Sequence, residues 1–248
     1  MQLDTRNLSQ ETEWDEIDFL LSRQVDGLIL DVALLPETEA RLQNEDTPLV
    51  FIDAPPALKG FDFIGTTDYE GMAEVTRYLI ANGHRRIAYL GGLPESKTNL
   101  ARRNGWEAAL REAGIEPGPD WIFQRGFNRD DGIYLADRYF DELKNFSALA
   151  CANDYVASGV IVRLHEAGVR VPEDFSVTGF ADDEIAEFSY PALTSYHQPI
   201  EEIASFAAEL LLKKLSEQIV QQPFYQLIPG KIVIRNSVIP FDDANIEK

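Results

Sequence analysis

Short, almost wholly apolar runs alternate along this chain with longer amphipathic ones, and several of the amphipathic runs end at a glycine. Gly27-Leu28-Ile29-Leu30, Pro48-Leu49-Val50-Phe51-Ile52 and Arg86-Ile87-Ala88-Tyr89-Leu90 read as strands buried on both faces. Ser147-Ala148-Leu149-Ala150-Cys151 and Phe175-Ser176-Val177-Thr178-Gly179 read the same way. Between them, Met72, Val75, Leu79 and Ile80 share one face of a helix closed at Asn82-Gly83, where glycine supplies the left-handed cap. Trp106, Ala109 and Leu110 mark a helix closed at Ala113-Gly114, and Val156, Val160, Ile161 and Leu164 one closed at Ala167-Gly168. A long helix is predicted from Pro199 to about Ser216. This β-α-β-α order dictates an α/β fold, parallel sheets with helices on both faces. The number of units fits two doubly wound lobes. Pro117-Gly118-Pro119 and Ala54-Pro55-Pro56 read as loops within them, not as linkers.

Charge narrows the function classes. The 248 residues carry a net charge of −20, which repels nucleic acid and anionic membrane surfaces at long range. Cys151 is the only cysteine, so neither an internal disulfide nor a cysteine-based zinc site is available. No apolar run approaches the length of a membrane span. The start, MQLDTRNLSQETEWDE, lacks the basic and apolar regions of a signal peptide, so a cytoplasmic address is expected.

In doubly wound folds the site lies at the carboxyl ends of the strands. That directs attention to Asp53, to the segment after Leu90, to Arg125–Phe127, to Asn153 and to the segment after Phe180. No phosphate loop, no dinucleotide fingerprint and no nucleophile elbow occurs there; Gly91-Gly92 alone is too weak a signal. His84, His165 and His197 are widely spaced and read as structural. Cys151 closes an apolar strand and reads as a core residue. Asp182-Asp183-Glu184 reads as an acidic match to the positive end of a helix rather than a metal cluster. Asn7-Leu8-Ser9 and Asn145-Phe146-Ser147 fit the glycosylation pattern, which is empty in a cytoplasmic chain. No catalytic residue, metal or cofactor is assigned. What remains suits a carbohydrate: Asp53 and Asn153 to pair with hydroxyls, Arg102 as a fork of donors, Phe127 as a stacking face.

Several stretches resemble the LacI/GalR family of bacterial transcription regulators. They are Val171-Pro172-Glu173-Asp174-Phe175-Ser176-Val177-Thr178-Gly179-Phe180, Pro191-Ala192-Leu193-Thr194-Ser195-Tyr196-His197-Gln198-Pro199, Asn153-Asp154-Tyr155-Val156-Ala157-Ser158-Gly159 and Gly83-His84-Arg85-Arg86-Ile87-Ala88. Val25-Asp26-Gly27-Leu28-Ile29-Leu30 and Lys231-Ile232-Val233-Ile234-Arg235-Asn236-Ser237 match near the two ends. The resemblance implies a fold like the periplasmic sugar-binding proteins: two parallel-sheet lobes, three crossovers and a small ligand in the cleft. The first lobe would comprise residues 1–66 plus 197–222, the second 67–196 plus 223–248. It further implies that Asp53, Arg102, Phe127 and Asn153 contact the effector, that Ser96 and Thr98 offer hydroxyls from a loop, and that Asp182 belongs to the same set. Asp68, at a helix start, reads either as an N-cap or as a ligand group.

Two departures stand out. The family's effector aspartate falls on Ala181, in Gly179-Phe180-Ala181-Asp182, which makes a sugar acid or sugar phosphate a candidate beside a neutral sugar. The helix-turn-helix headpiece is absent from these residues, and Met1–Thr5 align with the second strand of the first lobe. That lobe is therefore expected to be truncated, with an unpaired strand edge and incomplete packing around Trp14. The expected function is the ligand-sensing and dimerisation core of a LacI-type regulator, homodimeric, with operator DNA read only through the headpiece. A stand-alone sugar-binding transport receptor is the alternative; a carbohydrate enzyme would need a base, for which Asp53 is the one candidate.

Overall fold

A computed structural model describes residues 10–216 and 223–241. In chain order its elements are α1 (Gln10–Ser22), β1 (Leu28–Leu30), α2 (Pro36–Leu42), β2 (Leu49–Ile52), β3 (Asp62–Thr66), α3 (Asp68–Ala81), β4 (Ile87–Leu90) and α4 (Lys97–Glu112). A 3-10 turn at Pro119–Trp121 leads into β5 (Ile122–Phe123), followed by α5 (Arg129–Arg138), α6 (Phe140–Leu143), β6 (Ala148–Cys151) and α7 (Asp154–Glu166). Then come β7 (Ser176–Thr178), α8 (Glu184–Phe188), β8 (Ser195–His197), α9 (Ile200–Leu215), β9 (Tyr225–Ile228) and β10 (Lys231–Val233). The chain divides into two compact units, residues 1–66 with 199–228, and residues 67–198 with 229–248.

The first unit is a parallel sheet in the order β1-β2-β3-β9. Strand alternation sorts its core into two layers. Leu28, Leu30, Leu49, Phe51 and Phe63 pack with Ile17 of α1 and Leu42 of α2. Val50, Ile64 and Ile228 pack with Ile203, Ala207 and Leu210 of α9. Buried carboxylates bind the loops: Glu13 accepts from the Leu35 amide at 3.2 Å and from the Thr38 hydroxyl, and Glu39 from the amides of Ala57 and Leu58 at 2.7 and 2.6 Å. Among the described residues β1 is an edge of the sheet, and its Ile29 is 40% exposed.

Two expected boundaries are corrected here: His197 and Gln198, expected in the first lobe, fall in the second unit because His197 belongs to β8, which pairs with β10. Residues 223–228 were expected in the second lobe, but β9 lies beside β3, with Phe63 opposite Tyr225 and Thr66 opposite Ile228. The reason is a contact between distant parts of the chain: Asp62 accepts from the Phe224 amide at 2.7 Å and pairs with Lys214 near the end of α9, which docks β9 beside β3. The third passage of the chain between units thus falls at Ile228–Pro229. Met1–Thr5, expected at a strand position, lie outside the described residues.

The second unit contains a parallel sheet in the order β5-β4-β6-β7 and an antiparallel pair, β8 with β10. Its core is built on Tyr89, Trp106, Leu149, Val160, Val177 and Phe180. Glycine lets its helices approach: a Cβ on Gly105 would sit 2.1 Å from the Tyr69 carbonyl where α4 meets α3, and one on Gly159 2.1 Å from the Arg129 carbonyl where α7 meets α5. His84 ties the last described residues to this unit. Its ring nitrogens lie 2.9 Å from Ser147 Oγ and 3.1 Å from the Ile239 carbonyl, and it stacks on Phe241. Burial pushes its pKa down to about 4, so it is a neutral structural group. Cys151 is wholly buried at the end of β6, where desolvation pushes its thiol pKa far up.

Candidate functional site

The strands β4, β5, β6 and β7 of the second unit run parallel, so their carboxyl ends open on one edge of the sheet. Gly91 and Gly92, at φ 95° and 76°, turn the chain sharply after β4, and the Gly92 amide bonds the Gly126 carbonyl at 2.7 Å. Ser96 caps α4, its Oγ accepting from the Asn99 amide at 3.3 Å. Buried Asn99 holds the loop: Nδ2 donates to the Leu93 carbonyl at 2.8 Å, and Oδ1 accepts from the Tyr89 hydroxyl at 2.7 Å. Sequence reasoning missed Asn99, although a Ser followed three residues later by a polar side chain marks a helix start. Thr98 was expected in the loop but lies in the first turn of α4, half-buried.

Arg102 is 3% exposed. Its Nε donates to Asp68 Oδ1 at 2.7 Å, one terminal nitrogen donates to the Ala152 carbonyl at 2.9 Å, and the guanidinium lies 4.0 Å from the centroid of the Phe180 ring. This overturns the capping alternative for Asp68. Thr67 occupies the N-cap position of α3, while Asp68 is the first helical residue and serves as the counter-ion of Arg102. A buried guanidinium without such a partner would cost several kcal/mol, so the pair is required wherever the arginine is.

Asn153 is both cap and tether. Its Oδ1 accepts from the Val156 amide at 2.9 Å at the start of α7, and its Nδ2 donates to the Phe127 carbonyl at 2.9 Å. Phe127 is half-buried, resting on the core of the unit after β5. The sequence placed both residues at strand ends, and one hydrogen bond joins them.

After β7 the chain turns through Ala181 (φ 111°) and Asp182 (φ 61°), conformations that residues with a Cβ rarely adopt. The turn is clamped from β8. Ala181 donates its amide to the Tyr196 carbonyl at 2.9 Å, and the Asp182 amide donates to Ser195 Oγ at 3.1 Å. The Asp182 carboxylate is engaged by His197 Nδ1 at 3.1 Å and by Arg235 at 2.7 Å, the latter as an ion pair outside hydrogen-bond geometry. Asp182 thus works inside the protein, with its acceptors turned to His197 and Arg235. Below the turn, Asp154 is buried, accepting from Ser195 Oγ at 2.6 Å and from the Asp183 amide at 2.8 Å. Desolvation pushes its pKa up to about 7 against those two bonds. Asp183 precedes α8 without a side-chain cap.

In the first unit, Asp53 follows β2 at φ 56°, its amide bonded to the Ile64 carbonyl at 3.2 Å. Asp31 directly follows β1, and its pKa is pushed up to about 6 by desolvation and by the like charge of Asp53. Asp31 escaped the sequence reading; the signal for it was its place directly after an apolar run. The structure therefore groups Ser96, Arg102, Phe127, Asn153 and Asp182 at the strand ends of the second unit. Asp53, with Asp31, stands at the strand ends of the first. Among the described residues, no group of three or more His, Cys, Asp or Glu is arranged to hold a metal ion.

Comparison with known proteins places this arrangement. Residues 76–238 match the family described as a periplasmic binding protein-like domain. Over 226 residues the chain is 33% identical to the HTH-type transcriptional repressor PurR of Histophilus somni, covering 90% of this chain and 68% of that protein. The chain belongs to the LacI family of transcription regulators. Solved structures agree with that. The LacI-family domain is similar to the transcriptional regulator CelR in its cellobiose complex, with a TM-score of 0.83, 26% identity and coverage of 91% of this chain and 70% of that one. It is also similar to a LacI family regulator from Enterococcus faecium with bound ribose, with a TM-score of 0.81, 26% identity and coverage of 90% and 84%. As a LacI-family effector-binding domain it is a regulatory module and not an enzyme. No helix among its described residues is long and apolar enough to cross a membrane.

Proposed function

We propose that this LacI-family domain senses a hydroxyl-rich carbohydrate, which it binds through strand-end groups. The observation that carries this reading is the fixed guanidinium of Arg102, oriented by Asp68 and by the carbonyl of Ala152, whose neighbour Asn153 bonds Phe127. An oriented fork of donors with a nearby aromatic face suits a sugar ring. Asp53, at a strand end of the first unit, is a further effector contact in this reading, with Asp31 coupled to it. The relatives solved with cellobiose and with ribose support the ligand class. One feature favours a neutral sugar over an acid: the charge of Arg102 is already balanced by Asp68. Ala181 favours the second reading, a sugar acid or sugar phosphate, because a carboxylate at that position would repel an anion.

Such a domain acts by linkage. An effector that binds one conformation more tightly shifts the population toward it, and DNA-reading modules outside these residues report the shift. Homodimerisation, a cytoplasmic address and operator binding follow from the regulator reading. A thermal melt against D-ribose, cellobiose, gluconate and glucose 6-phosphate tests it. A ligand at a hundred times its Kd adds about 2.7 kcal/mol and raises Tm by several degrees. A cooperative melt that no carbohydrate shifts would overturn the carbohydrate reading. For the charge question, Ala181→Asp should move selectivity from acids toward neutral sugars; unchanged selectivity removes the second reading.

A further inference from the structure

The chain passes between its two units at Thr66–Thr67, Gln198–Pro199 and Ile228–Pro229. One phenol hydroxyl in the second unit meets residues at two of these passages, and its own strand leads into the other. Tyr196 Oη lies 3.0 Å from Thr67 Oγ1 and accepts from the Gly230 amide at 2.8 Å, and Tyr196 itself precedes Gln198 by two residues. The ring is buried, and space for it comes from Gly71, where a Cβ would lie 2.6 Å from Tyr196 Cε1. The other face of the contact leads to the candidate site. Tyr196 stacks on Phe180 with centroids 4.9 Å apart, and Phe180 carries the Arg102 guanidinium. Arg102 in turn grips Asp68, the neighbour of Thr67. A closed circuit of packed groups thus runs from Arg102 through Phe180 and Tyr196 to Thr67 and Gly230.

We infer that Tyr196 is a positioning residue that couples the state of the Arg102 site to the three chain passages. Its hydroxyl holds their ends in the second unit to one another, and its ring reads the position of Phe180 beneath the guanidinium. Coupling needs a physical element that both ends bias. Here the element is the Phe180–Tyr196 stack, because moving the guanidinium moves the ring on which the phenol rests. The inference rests on Arg102 being an effector contact.

Amide hydrogen exchange at Gly230, read by NMR, tests it without a ligand, with Leu149 in β6 as the internal reference. Tyr196→Phe removes the acceptor and should lower Gly230 protection about tenfold while Leu149 keeps its own. Phe180→Leu removes neither the Gly230 nor the Thr67 hydrogen bond, both of which belong to the Tyr196 hydroxyl, yet should lower Gly230 protection as well. If Gly230 is unchanged in Phe180→Leu, or if Leu149 loses protection equally, the coupling role is overturned. Arg102→Lys serves the same purpose should Phe180→Leu fail to fold. In a second arm, D-ribose or cellobiose, whichever shifts Tm, should raise Gly230 protection in the wild type but not in Tyr196→Phe, where binding persists. Equal protection in both proteins overturns the inference. No binding by any carbohydrate overturns the effector reading instead, and leaves the first arm to decide the coupling.

Discussion

Arg102 and Asp68 form a buried ion pair at 2.7 Å that joins the start of α3 to the first turns of α4. A pair of this kind is defined by what happens when half of it is removed. Asp68→Asn leaves the guanidinium buried with its charge uncompensated, which should cost about 3–5 kcal/mol. The double variant Asp68→Asn/Arg102→Met should cost less than that single one. Urea midpoints of the three proteins check this; a single-variant loss below about 1 kcal/mol would place the pair with ordinary surface salt bridges.

Asn153 serves two partners, and two substitutions separate them. Asn153→Ala removes the α7 cap and the bond to Phe127 together, and should cost about 1–2 kcal/mol. Asn153→Asp keeps the acceptor for the Val156 amide but loses the donor to the Phe127 carbonyl. It should recover most of the stability while exchange at Phe127 and Asn128 stays fast. Equal losses in both variants would mean that the cap contributes nothing.

Two buried groups give the pH profile opposite slopes. His84 has its pKa lowered to about 4, so the folded state binds its proton less readily than the unfolded chain. That stability is present above the unfolded value near 6.5 and is lost as pH falls from there toward 4. Asp154 has its pKa raised to about 7, so the folded state holds the proton more tightly. Its contribution is present below the unfolded value near 3.8 and is lost as pH rises toward 7. Asp154→Asn should therefore remove a decline in stability between pH 4 and 7. Urea midpoints at several pH values decide it, and a profile parallel to the wild type sinks the assignment.

Gly105 and Gly114 should fail for different reasons. At Gly105 a Cβ meets the Tyr69 carbonyl, which is backbone and cannot swing aside, so Gly105→Ala should cost roughly 1–3 kcal/mol by forcing α3 and α4 apart. At Gly114 nothing lies within 4 Å, but φ is 74°, so Gly114→Ala carries only the backbone penalty, about 1 kcal/mol. Thermal melts rank the two, and a reversed order would contradict the helix contact.

The strands β1, β2, β4, β6 and β7 were legible because parallel strands buried on both faces are written as apolar runs, whereas β3, interrupted by Asp62 and Gly65, was not. The helix ends at Asn82-Gly83, Ala113-Gly114 and Ala167-Gly168 were legible because glycine caps carry their own signal. β9 was not, because its burial alternates: Tyr225 is exposed and Ile228 buried, so it reads as neither a core strand nor a helix. Its place depends on Asp62, some 160 positions earlier, and that separation leaves no local trace. At the site, the strand-end positions of Phe127 and Asn153 followed from topology, while Arg102, inside α4, came from its residue type and the family resemblance. The partners did not: that Asp68 answers Arg102, and that Asp182 is taken by His197 and Arg235, are facts of three-dimensional packing.

The burial of Cys151 has a practical side. The single thiol of the chain is enclosed at the end of β6 and held protonated by its surroundings, so thiol reagents find no native target on the folded protein. A cysteine introduced on the surface of either unit will then be the sole point of attachment for a fluorophore or spin label. Distances between the two units can be tracked in solution with the wild-type core intact.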